Sequence, residues 1–172
     1  VIIACNSFAH ISNISEIAES VSRSLSQEGF FVVEVQSLYE MVKGNSFDFI
    51  YHEHLSSFSI KPLKKLFSRH DLALYNVDLI NTKGGSIRCY VAHKNQKKIS
   101  NVVNSLIKKE IKYGLYSENK FKEFQKEIDK IRAEKVESVE PNERLNYLIA
   151  MFNQANTAVA LLCNHQKNAN KS

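Results

Sequence analysis

Four consecutive residues, Tyr51-His52-Glu53-His54, offer a phenol, two imidazoles and a carboxylate in one short run. The run follows the largely apolar stretch Phe47 to Ile50 and precedes Leu55-Ser56-Ser57-Phe58-Ser59. Imidazole is the side chain whose unperturbed pKa lies near neutrality, so such a cluster suits a site that moves protons. The chemistry it fits is removal of a proton next to a carbonyl. A histidine serves as the base. A tyrosine hydroxyl, a second histidine or a protonated acid stabilises the enolate oxygen. A glutamate beside the base can orient it or bind substrate hydroxyls.

Each of these residues also has a plainer reading. On extended chain His52 points away from the side shared by Tyr51 and Glu53, which suits a structural role. His10, taken alone, would be a cap or a core residue. His70 falls at a helix end, where the dipole favours a cation. His93 and His165 read as surface residues. Gly84-Gly85-Ser86 is first of all a turn signal.

The elements that must position these groups can be read from pattern. Val1-Ile2-Ile3-Ala4-Cys5 is a continuous apolar run, expected to be a fully buried strand of a parallel sheet. Asn6 to His10 is a loop. Asn13 with Glu16 makes a capping-box-like start for a helix that buries Ile14, Ile17, Ala18, Val21 and Leu25 and ends at Glu28-Gly29. Phe30 to Val35 is a second strand, which completes a right-handed βαβ unit. Ser37 to Lys43 is a short helix or turn, closed by Gly44-Asn45. Ser59 is placed to cap a helix through Arg69. Leu72 to Ile80 and Ile87 to His93 form a hairpin around Asn81 to Gly85, so the sheet is expected to end in antiparallel strands. Amphipathic helices follow over 99–111 and 121–131. Another starts at Pro141, with Leu145, Leu148, Ile149 and Phe152 at helical spacing, before a polar tail from Asn164. Ligands of open parallel sheets sit beyond the carboxyl ends of the strands. Asn6 and His10 lie just past the first strand, Gln36 and Tyr39 just past the second, and the 51–54 run can return to the same edge.

Composition bounds the class. The chain has 172 residues, 44% of them hydrophobic and 24% charged, as in a soluble globular protein. No apolar run approaches the roughly 20 residues needed to span a bilayer. Cys5, Cys89 and Cys163 are few and far apart, with no metal-ligand spacing, and fit reduced thiols in the cytoplasm. The net charge of +5 is uneven. Residues 1–93 hold eight basic against nine acidic side chains, and residues 94–172 hold 15 against nine. The interspersed Lys and Glu of the basic half suit solvated helix faces more than a nucleic-acid surface. Val1 falls inside a strand-like run, so the chain is expected to begin within a domain.

The stretches 6–11, 47–59 and 84–91, with the run Tyr-His-Glu-His-Leu-Ser-Ser-Phe-Ser at their centre, resemble the S-adenosylmethionine-dependent C-methyltransferases of nucleotide-linked keto-sugars. The resemblance covers roughly residues 1–135. It implies an α/β fold: part of a Rossmann-like class I methyltransferase sheet, with parallel fourth and fifth strands, an antiparallel hairpin as the sixth and seventh, and amphipathic helices after it. Residues 1–93 would be the C-terminal half of the methyltransferase domain. Residues 94–172 would be a helical region that starts the family's C-terminal domain. The first three strands, the glycine-rich S-adenosylmethionine loop and a zinc-binding N-terminal module would lie outside this chain. The chain is accordingly expected to turn over negligibly alone.

By the same resemblance His54 matches the general base. Tyr51, Glu53 and His10 match residues that position the sugar and stabilise the enolate. Asn6 approaches the cofactor, and Gly84, Gly85 and Ser86 contact the substrate. Lys83 stands where the family often has histidine. The motif expected near Gln154 to Asn164 lacks its glycines. The implied partner is a nucleotide-sugar, with neither nucleic acid nor membrane, and the oligomeric state stays open. Two other readings fit the residues. One is methylation of another small keto or hydroxy compound. The other is a non-catalytic remnant whose basic helices contact an anionic partner, against which the retained His10, Tyr51, Glu53 and His54 set argues.

Overall fold

The computed structural model describes residues 1–50 and 53–137. Tyr51, His52 and the elements expected beyond 137, including the Pro141 helix and the 154–164 motif, lie outside them. Ile2–Cys5 (β1) and Phe31–Gln36 (β2) pair in parallel, from Ile2 opposite Phe31 to Cys5 opposite Glu34. The helix Ile14–Ser24 (α1) connects them and completes the expected βαβ unit. The strands Leu72–Ile80 (β3) and Ser86–His93 (β4) form the expected hairpin. It folds inward: β4 pairs antiparallel with β2, and the sheet order is β1-β2-β4-β3. The last strand at that end, β3, therefore runs the same way as β1 and β2.

The N-terminal strand departs from expectation. Ile3 is 68% exposed and Val1 74% exposed, whereas Ile2 and Ala4 are half-buried against the core. The reason is position. Among the described residues, side chains pack against only one face of β1, so alternate residues meet solvent. Continuous apolar sequence cannot by itself report whether a second face is covered.

A group of phenylalanines anchors the layer between sheet and helices. Phe8 and Phe67 are fully buried and Phe31 and Phe58 nearly so. Their ring centroids lie 5.4 Å (Phe8–Phe58), 6.3 Å (Phe8–Phe67) and 6.1 Å (Phe31–Phe67) apart, within aromatic packing range. Each such ring contributes roughly 1.5–3 kcal/mol by leaving water. Phe8 opens the 3-10 turn Phe8–His10, and Phe58 closes the loop that carries His54. The same contact thus fixes both backbones that bear the candidate histidines.

Of the two expectations for 37–43 the structure takes the helix, Leu38–Lys43 (α2), capped by the Ser37 hydroxyl, which accepts from Glu40 N at 3.3 Å. Helix α3 spans Ile60–Ser68, but the Ser59 side chain does not cap it. The cap comes from 50 residues away. Glu110, on the helix Asn101–Tyr113 (α4), accepts from Ile60 N at 2.9 Å and from Lys61 N at 3.4 Å. A carboxylate there answers both the orphan amides and the positive end of the helix. Tyr116 donates to the same carboxylate. Helix Glu118–Glu137 (α5) brings Phe124 and Ile128 against Leu38, Met41 and Ile50, a second small core beside α2. His93, expected at the surface, is half-buried: its Nε2 lies 3.0 Å from the Leu25 carbonyl and ties β4 to the end of α1.

Candidate active site

The first strand ends in a residue with unusual backbone. Asn6 adopts φ 53°, in the left-handed region that Asn tolerates better than most residues. Its N–H still donates to the Glu34 carbonyl, at 2.9 Å, so the chain leaves the sheet sharply at a fixed point. The Phe8–His10 turn follows, held down by Phe8. The loop 53–58 crosses it, with Leu55 N donating to the Ala9 carbonyl at 2.9 Å. Leu38 N donates to the Phe58 carbonyl at 2.8 Å and closes the loop onto the end of β2.

These ties bring the two candidate histidines together. The rings of His10 and His54 are 4.9 Å apart, edge to face. His10 Nδ1–H donates to the Glu53 carbonyl at 3.0 Å, and His54 Nδ1–H to the Phe49 carbonyl at 2.7 Å. A carbonyl only accepts, so each Nδ1 carries the proton and each Nε2 is the basic nitrogen. The His54 pKa lies below its ordinary value of 6.5, chiefly because burial disfavours the imidazolium, with His10 and Lys83 adding repulsion. The bond to the Phe49 carbonyl and the charge of Glu53 oppose the shift without cancelling it. His54 is therefore a neutral, oriented base at pH 7.

His54 opens onto a cleft at the carboxyl ends of β1 and β2, as an open sheet requires. Asn6, Gln36 and Lys83 line its polar side, and Leu38 and Met41 its apolar floor. Ser56 and Ser57 also line it. Their small hydroxyls gave no signal in the sequence beyond following the histidine. Glu53 is exposed, and its carbonyl rather than its carboxylate orients His10. Tyr39, read as a possible member of this cluster, points elsewhere. Its ring packs on Tyr113 at 4.9 Å in the second core, with Lys109 Nζ 4.6 Å above its face. Tyr51 falls outside the described residues.

The Gly84-Gly85-Ser86 turn reaches the same region by a specific route. Lys83, Gly84 and Gly85 take φ of 51°, 72° and 116°. A Cβ on Gly85 would meet Glu40 Cβ at 2.7 Å, so only glycine lets the turn lie on α2. Ser37 N donates to the Gly85 carbonyl at 3.0 Å, and Gln36 Nε2 to the Lys83 carbonyl at 3.2 Å. The Ser86 hydroxyl is buried and bonded within the turn, donating to the Thr82 carbonyl at 3.2 Å. Of the turn residues, Lys83 lines the cleft. Among the described residues, no group of three or more His, Cys, Asp or Glu could hold a metal ion, and no helix is long and apolar enough to cross a membrane.

Comparison with known proteins identifies the family. The chain is 36% identical over 128 residues to the C-methyltransferase NovU of Streptomyces niveus, an alignment that takes in 74% of this chain and 30% of that protein. The chain thus spans about 30% of the length of the relative it matches. The description of the C-methyltransferase C-terminal domain matches residues 81–168, half of the chain. The chain belongs to the C-methyltransferase C-terminal domain family.

Proposed function

We propose that this chain is the base-bearing part of an S-adenosylmethionine-dependent C-methyltransferase acting on a nucleotide-linked keto-sugar. The observation that carries the reading is His54: an imidazole at the mouth of a cleft, its tautomer set by the Phe49 carbonyl and its pKa held below the usual histidine value. Such a group takes a proton from a carbon next to a ketone without first losing one of its own. The proton goes to Nε2. His10, fixed at 4.9 Å, and the Tyr51 phenol are placed by sequence to hold the sugar.

The carboxyl end of β1 suits a nucleoside cofactor in its polarity, since Asn6 lines the cleft there with an amide. Asn6 is the residue of this chain we assign to S-adenosylmethionine. When bound, that cofactor supplies an electrophilic methyl group. The contribution of this chain to the transfer is alignment of the carbanion, and alignment supplies much of the rate in such reactions.

The test is methyl transfer from labelled S-adenosylmethionine to nucleotide-linked keto-sugars by the product of the full reading frame, with and without His54→Ala. Loss of a general base costs about 10²–10⁴ in kcat. Transfer that survives in the variant moves the base to another residue. A folded, unsubstituted protein that transfers no methyl group to any keto-sugar overturns the reading.

A further inference from the structure

We propose that Lys83 is a further catalytic residue, whose ammonium stabilises the enolate oxygen formed when His54 removes the proton next to the substrate ketone. The inference rests on the keto-substrate reading above and adds a second group to that site. Three observations carry it. Lys83 and His54 line the same cleft. The Lys83 backbone is fixed there: its φ is 51°, its carbonyl accepts from Gln36 Nε2 at 3.2 Å, and Gly85 N closes the turn on the Thr82 carbonyl at 2.8 Å. The carboxylates of β2 and α2 are engaged by other cations. Glu34 pairs with Arg88 at 2.8 Å, and Glu40 with Lys43 at 3.9 Å and Lys109 at 3.7 Å.

The chemistry needs such a cation. Breaking the C–H bond sends the proton to His54 Nε2 and the electron pair onto the carbonyl oxygen. The other polar side chains described along the cleft, Asn6, Gln36, Ser56 and Ser57, are neutral. A full positive charge beside the oxygen stabilises the enolate in the transition state and little in the ground state, which is the condition for catalysis. The same charge repels the new imidazolium. The enolate oxygen, in contact with the ammonium, feels it more strongly than a ring across the cleft, because the interaction falls with distance. Repulsion by Lys83 before reaction also helps keep His54 neutral.

The experiment uses the full-length enzyme with Lys83→Met and Lys83→Arg. It reads exchange of the α-proton of a nucleotide-linked keto-sugar with deuterated water in the absence of methyl donor, methyl transfer with its kcat and KM, and the His54 titration by NMR. Lys83 is exposed on its turn, so both variants are expected to fold, and their Tm values check this. In Lys83→Met, exchange and kcat should each fall about a hundredfold, the cost of losing one oxyanion donor. KM should stay nearly unchanged and His54 should titrate at higher pH. Lys83→Arg, which keeps the charge, should recover most of the rate. Exchange in Lys83→Met as fast as in the unsubstituted enzyme overturns the inference and leaves the methyltransferase reading standing. An unsubstituted enzyme that neither exchanges nor transfers overturns the reading, and the inference with it.

Discussion

Replacing Glu110 by alanine removes one buried carboxylate, leaves two backbone donors without an acceptor and leaves the Tyr116 hydroxyl only its longer bond to Ser59 Oγ, at 3.4 Å. Ile60 N and Lys61 N lose the bonds that cap α3, and the Tyr116 hydroxyl loses its bond to the carboxylate. Glu110 is only 3% exposed, so water does not easily replace it. A hydrogen bond to a charged group is worth about 1.5–3 kcal/mol, and a buried donor left unpaired costs about 1–3 kcal/mol. Against this stands the penalty for holding the carboxylate away from water. That penalty outweighs its hydrogen bonds to Ile60 and Tyr116 in setting the pKa, which lies above the ordinary 4.5. The net loss on Glu110→Ala is then about 3 kcal/mol. With a urea m-value of about 2 kcal/mol/M, the unfolding midpoint drops by about 1.5 M.

Glu110→Gln separates the charge from the cap. A carboxylate whose folded pKa is raised binds more protons folded than unfolded, between about pH 4.5 and its folded value. Its contribution is therefore full below that window and declines as pH rises through it. The stability of the unsubstituted chain relative to Glu110→Gln should fall with rising pH across this range and then level. Urea unfolding at a series of pH values, followed by circular dichroism, reads both effects. A midpoint in Glu110→Ala close to that of the unsubstituted chain would refute the cap. A difference between the unsubstituted chain and Glu110→Gln that does not change with pH would refute the buried-charge account.

Other outcomes follow from the same structure. Gly85→Ala should destabilise by about 1–3 kcal/mol, because its Cβ meets Glu40 at 2.7 Å. Gly84→Ala, which has room, should cost only about 1–2 kcal/mol for its positive φ, and equal losses in the two would discount the packing argument. In a Cys163→Ser background, Cys5 should react with a thiol reagent in the native protein, whereas Cys89, with its thiol pKa pushed up by burial, should react only on unfolding. Mass spectrometry of the labelled peptides decides this. The acid limb of kcat/KM for the full-length enzyme should lie below pH 6.5, since His54 becomes a base as it loses its proton and its pKa is lowered. A limb above that value would assign the base to another group.

The sequence alone determined much of this molecule because local pattern carries local structure. Alternation and β-branching mark β2 and the β3–β4 hairpin, and Asn13 with Glu16 marks the start of α1, where Glu16 N does bond Asn13 Oδ1 at 3.2 Å. The histidine-rich run and its distance from His10 named the pair that the structure holds 4.9 Å apart. Tertiary structure decided whatever depends on partners distant in the chain. The exposure of Ile3 follows from the described residues covering only one face of β1, which an apolar run cannot disclose. The hairpin turns inward because β4 finds β2, and no residue of β4 encodes that neighbour by itself. The cap of α3 comes from Glu110, 50 residues on, so the nearby Ser59 was the natural local expectation. Lys83 stands out in sequence only by resemblance, at a position where the family often has histidine. Its place on the cleft of His54 comes from the packing of its turn on α2, which excludes a side chain at Gly85.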